Sequence, residues 1–180
     1  MFVNVNEALD WFLSMPNSLQ YPTHHPAYVE AEVAELTDRQ PVYYLDLTNE
    51  HFLYFAGHIG SGANSDFESV RGYGGVVTNL TGVLLEQAME KAREYMTEQG
   101  LLCGFIRTTP IFKNANAFNE HVMFDRKTVY LDLNVDDLLM SFATRARTAV
   151  RKAKKNGLSV HWASSHSDWE QFGQLYSSRM

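Results

Sequence analysis

The segment Thr128–Val160 reads TVYLDLNVDDLLMSFATRARTAVRKAKKNGLSV. It opens with β-formers, Val129, Tyr130 and Leu131, which predict a strand over Thr128–Leu133. Asn134 or Asp136 can cap the helix that follows, predicted over Asp136–Asn156. Gly157 stops it, and Leu158–Trp162 returns as a second strand. Strand, helix, strand is the grammar of a mixed α/β protein.

Upstream segments follow the same alternation. Val5, Ala8, Leu9, Phe12 and Leu13 keep helical spacing, and Pro16 closes that helix. His24-His25-Pro26 opens a second helix, Ala27–Leu36, whose Glu-rich face is expected in solvent. Pro41–Leu47 and His51–Ile59 read as a hairpin about Asn49-Glu50. Gly60–Ser65 is a loop. Thr81–Gln99 carries Leu84, Leu85, Ala88, Met89, Ala92 and Met96 on one face, and Gly100 ends it. The apolar run Leu101–Thr108 predicts a buried strand, with the lone Cys103 as a small buried hydrophobe. Ser167 can cap a last helix running to Met180. The fold class expected is α/β with a mixed sheet.

Composition narrows the classes. The chain has 180 residues, 45% hydrophobic and 20% charged, enough for a sizeable core and too apolar for disorder. One cysteine excludes an internal disulfide framework and a cysteine zinc site. No H-x-x-x-H pair or G-x-S-x-G elbow occurs, so neither a metal nor a serine nucleophile is expected. The first residues lack a basic n-region and an apolar h-region, and no apolar run approaches the ~20 residues of a membrane helix. Cytoplasmic residence is the expectation. Charge is uneven: 8 Lys+Arg against 19 Asp+Glu up to Met140, then 7 against 2 from Ser141 onward.

The predicted helix 136–156 holds that basic excess. Phe142, Ala146, Ala149, Val150 and Ala153 share one face, and Arg147, Arg151 and Lys154 form a stripe on the other. Six cations lie between Arg145 and Lys155. Phosphate would relieve their mutual repulsion, and guanidinium forks suit it. The helix dipole also favours cations in the last turn, so a solvated face explains part of the run.

The same segment resembles the Fem aminoacyltransferases and their FemAB-like relatives. There a strand ending in LDL leads into an acidic helix start and an R-x-x-(I/V)-R-K-A-x-K-x-G run, matched here by Arg147, Val150, Arg151, Lys152, Ala153, Lys155 and Gly157. Arg71-Gly72-Tyr73-Gly74-Gly75-Val76 is similar to the family's Tyr-Gly-Gly loop. Ile106–Asn114 is similar to its R-x-x-P-hydrophobic-hydrophobic-x-N segment. The three blocks stand in family order from about Pro41 onward.

The resemblance implies a GNAT-like acyltransferase fold, the first of a tandem pair, over 1–165, with 166–180 starting a helix toward a second domain. It implies amide-forming transfer of an acyl or aminoacyl group onto a cell-wall precursor peptide, from acyl-CoA or aminoacyl-tRNA as donor, with no permanently bound cofactor. The acceptor is then a phosphate-bearing small molecule or lipid-linked precursor, with tRNA a further partner. Implied substrate-binding residues are Tyr73, Gly74, Gly75, Arg107, Asn114, Arg147, Arg151 and Lys154. Acyl-CoA-binding GNAT loops read R/Q-x-x-G-x-G/A directly before a helix. Here Val76 takes the sixth position and the helix starts near Leu80-Thr81, which points away from CoA. Arg71–Val76 is then a substrate-lining loop, with Tyr73 in contact, or a plain turn. Arg107 and Asn114 either shape the acceptor groove or serve as structural hydrogen-bonding groups. Asp66, Glu68 and Asp125 are available as a base, and nothing in the sequence selects one. A non-catalytic module that binds RNA or a protein through helix 145–155 is the alternative.

Overall fold

The computed structural model describes residues 1–62, 65–111, 114–125 and 127–179. These fall into two compact units, Met1–Phe124 and Asp125–Met180.

In the first unit, β1 (Phe2–Val3) leads into α1 (Val5–Ser14). The Asn4 side chain accepts from the Asn6 and Glu7 amides, and Glu7 reaches back to the Asn4 amide, each at 3.0 Å. This capping box satisfies donors that a helix start leaves orphaned. Two 3-10 turns, Asn17–Leu19 and Pro22–His24, precede α2 (Pro26–Val33). Pro26 at its first turn has no amide to waste, and His25 Nδ1 accepts from the Ala27 amide at 3.1 Å.

β2 (Arg39–Thr48) and β3 (His51–Gly60) pair antiparallel over ten residues each. Asn49 turns the hairpin with φ 56°, a region asparagine tolerates. β4 (Ser65–Glu68) and β5 (Val77–Thr78) both pair antiparallel with β3. α3 (Gly82–Glu98) then carries the chain to β6 (Leu101–Phe105), parallel to β4. The sheet order is β1-β2-β3-β4-β6, so the mixed sheet expected from sequence is present.

Successive residues of β2 and β3 face opposite sides, and both sides are covered. Tyr43, Phe52, Tyr54 and Ala56 pack with Ala8, Phe12 and Val29 from α1 and α2. Val42, Tyr44, Leu53 and Phe55 pack with Met89 and Ala92 of α3. Double coverage explains why these strands read as unbroken apolar runs. Tyr44 stacks on Phe55 with ring centroids 4.8 Å apart.

Three expectations for this unit need correction. Leu84 is 52% exposed, off the face that buries Met89 and Ala92. The β6 run is not a buried strand: only Leu101 is buried, and Cys103 is exposed. β6 ends the sheet, so one edge and most of its side chains lack cover. The Glu face of α2 is not wholly solvated, because Glu30 accepts from the Tyr43 hydroxyl at 2.8 Å and Glu32 is largely enclosed.

The second unit is helical. Asp137, rather than Asn134 or Asp136, caps α4 (Leu138–Ser141), with its carboxylate accepting from the Met140 amide at 3.0 Å. Extended backbone at Phe142 and Ala143 divides the single expected helix and starts α5 (Thr144–Lys155). Gly157, at φ 75°, closes α5 with the Leu158 amide on Ala153 O and its own on Lys154 O, each 3.1 Å. α6 (His166–Ser177) is capped by Ser165, not Ser167, in a box with Asp168. The segments 128–133 and 158–162 are not strands. Apolar alternation supplies only the side-chain half of a ladder, and neither segment has a ladder partner among the described residues. Met180 lies outside the described residues.

Candidate functional site

The Gly-rich loop leaves the C-terminal end of β4. Its peptide groups are held from two sides by side chains far away in sequence. From one side come the residues around α2. Thr23 Oγ1 donates to Tyr73 O, His24 Nε2 lies 3.0 Å from Gly75 O, and Tyr28 donates to Arg71 O at 3.3 Å. Glu32 accepts from the Arg71 amide at 2.7 Å. From the other side come the residues after β6. Gly74 bridges Thr108 in parallel, and its amide donates to Arg107 O at 2.6 Å. Asn114 donates from Nδ2 to Gly74 O at 2.9 Å and accepts the Thr109 amide on Oδ1 at 3.0 Å.

Glycine is required at two loop positions. Gly75 has φ 95°, and a Cβ there would sit 2.4 Å from Asn114 Nδ2. A Cβ on Gly74 would meet Ser69 Cβ, also at 2.4 Å. Ser69 is buried, and its hydroxyl accepts from the Arg107 amide at 3.0 Å. The loop is therefore close-packed backbone whose carbonyls turn inward. The Arg71–Val76 backbone is occupied by the protein itself at Arg71 N, Tyr73 O, Gly74 N, Gly74 O and Gly75 O.

Electrostatics around the loop come from paired groups. Arg107 stacks over Phe105, 4.7 Å from the ring centroid, and reaches Glu68 at 3.3 Å. Glu68 also faces Arg39 at 3.9 Å. The Arg39 guanidinium, bonded to Asp66 at 2.8 Å, holds that carboxyl below its ordinary range. Neither Asp66 nor Glu68 is thus an unoccupied base. His58, buried in β3, lies 3.4 Å from Glu32, with Nδ1 enclosed and without a hydrogen-bond partner among the described residues. His24 is fully buried, and its pKa is pushed down to about 4, mainly by burial and against the Gly75 carbonyl.

Tyr73, Gly74, Gly75, Arg107 and Asn114 are thereby brought together. Phe112 and Lys113, between Arg107 and Asn114 in the motif, lie outside the described residues. Arg147, Arg151 and Lys154 stand on α5 in the other unit. Arg147 donates to Met140 O at 3.1 Å, Phe142 O at 3.2 Å and Thr144 Oγ1 at 3.0 Å, so it staples the junction of α4 and α5. Arg151 and Lys154 are exposed and have no hydrogen-bond or ion-pair partner among the described residues.

Sequence reasoning missed Thr23, His24, Glu32, Ser69 and Thr109. Their partners lie up to 51 positions away, and no local spacing signals them. No metal-holding cluster and no helix long and apolar enough to cross a membrane occur among the described residues. No protein-family model, curated protein or solved structure matches the chain.

Proposed function

We propose that the chain is the GNAT-type unit of an amide-forming acyl- or aminoacyl-transferase, related to the Fem aminoacyltransferases. One observation carries the reading. Two blocks that resemble Fem motifs, 71–76 and 106–114, lie some thirty residues apart in sequence and interlock through Gly74, Arg107 and Asn114. Two motifs that meet in one constellation support a shared site more than either does alone.

In this reading an amine nitrogen attacks the carbonyl carbon of an ester or thioester. The N–C bond forms, the C–O or C–S bond breaks, and the amine proton passes, through solvent or a base, to the departing alcohol or thiol. Much of the acceleration comes from holding amine and carbonyl together. A rigid loop does this well, because a mispositioned reactant loses rate steeply. Tyr73, half-buried in the loop, and Arg107, exposed beside it, are the side chains for substrate contact. On this reading the protein works in the cytoplasm, where both donors are found.

The test is transfer of a labelled acyl group from acyl-CoA, or a labelled amino acid from aminoacyl-tRNA, onto a cell-wall precursor peptide. Amide product from either donor supports the reading and identifies the donor class. Failure with both donors contradicts it.

Arg151 and Lys154, which have no partner among the described residues, favour a second reading, a binding module for RNA. It predicts RNA affinity that falls steeply with salt and no amide product.

A further inference from the structure

Leu84, Ala88 and Lys91 stand at i, i+4 and i+7 on α3, one face of the helix beside the face that buries Met89 and Ala92. On the sheet, Asp46 of β2 pairs with Leu53 of β3, so their side chains share one side. A cavity of about 200 Å³ is lined by Leu53, Leu80, Leu84 and Ala88 and by the charged pair Asp46 and Lys91. Leu53 is fully buried and Leu84 is 52% exposed, so the cavity runs from the core to the surface. Lys91 Nζ donates to both Asp46 oxygens, at 2.9 and 2.8 Å.

We propose that this cavity binds a free hydrophobic amino acid of leucine size. Filled at interior packing density, about 200 Å³ holds about 150 Å³ of atoms. That suits a branched aliphatic side chain with its α-carbon and excludes a nucleotide.

The ion pair sets the charge of the ligand. At most two of the three Lys91 N–H groups go to Asp46, and among the described residues the third has no partner. The Asp46 carboxylate likewise keeps lone pairs beyond the two that face Lys91. A ligand with a single charge gains from one member of the pair and is repelled by the other. A zwitterion meets both, its carboxylate on Lys91 and its ammonium on Asp46. Its side chain then covers Leu84, which otherwise faces water. The cavity lies within the first unit, and neither the Gly-rich loop nor Arg107 lines it, so the proposal does not rest on the transferase reading.

The experiment is a titration of the full chain with L-leucine at neutral pH, followed by amide and methyl NMR. Saturable shifts are expected at Leu53, Leu84, Ala88 and Lys91 at millimolar leucine, with the Tyr73 and Gly74 amides as unmoved references. Isopentylamine lacks the carboxylate, 4-methylpentanoate lacks the ammonium, and N-acetyl-leucinamide lacks both charges. Each is expected to bind at least about 10-fold more weakly. Asp46→Asn and Lys91→Met should each weaken leucine by a similar factor. No saturable shift at the four residues overturns the proposal. So does equal binding of N-acetyl-leucinamide, which would make the cavity a seat for an apolar side chain of a protein partner. Leucine affinity unchanged in both variants overturns it as well. The ligand comparison needs only the wild-type chain, so it decides even where a variant fails to fold. None of these readouts uses transfer activity, so a missing transfer reaction and an empty cavity are separate results.

Discussion

The side-chain amide of Asn114 occupies the space that a Cβ on Gly75 would need, 2.4 Å from Nδ2, while the same nitrogen holds Gly74 O at 2.9 Å. Gly75→Ala therefore meets both a close contact and a positive φ. Its expected cost is about 1–3 kcal/mol of stability, measured by urea unfolding.

Asn114→Ala should cost more, about 2–4 kcal/mol, because it strands the buried Thr109 amide and Gly74 carbonyl together. The double variant with Gly75→Ala should cost less than the sum, since the lost amide frees the space for the new methyl. Strict additivity would mean the two sites are not packed as described.

The two ends of the basic stripe should behave differently. Arg147→Ala removes the staple at the junction of α4 and α5 and should lower helicity by circular dichroism. Arg151→Ala with Lys154→Ala should leave helicity unchanged. It should weaken binding of an RNA oligonucleotide, with the log–log salt slope reduced by about 2 if both contact phosphate.

Arg39→Met removes the group that holds the Asp66 carboxyl low. Its NMR titration should move up toward the ordinary carboxylate value. The stabilising pair works above that ordinary value and is lost as pH falls through the depressed one, so acid sensitivity on this account should shrink in the variant.

Much of the first unit was legible in sequence because its signals are local. The hairpin about Asn49, the amphipathic α3 and the stop at Gly100 each follow from spacing within one element. The double-sided burial of Tyr43-Tyr44 and Leu53-Tyr54-Phe55 was legible only as apolar runs, since periodicity cannot say what covers each face. Leu101–Thr108 misled for that reason: the same apolar content serves an edge strand as well as a central one.

The second unit was read less well. Asp136 and Asp137 are equal as caps by residue type, and backbone geometry alone separates them. The break at Phe142-Ala143 carries no glycine or proline. At the candidate site, Gly75 was visible as a loop glycine, but its reason for being glycine lies 39 positions later in Asn114. His24 and Glu32 had no local signal, because each bonds to loop backbone some forty to fifty positions away.

The most direct test of the central claim is to titrate the labelled protein with an acyl-CoA, an aminoacyl-tRNA and the precursor peptide, following every amide by NMR. The account predicts shifts centred on Tyr73, Gly74, Gly75 and Arg107 for at least one donor or acceptor. Saturating ligand with those four amides unmoved would contradict it.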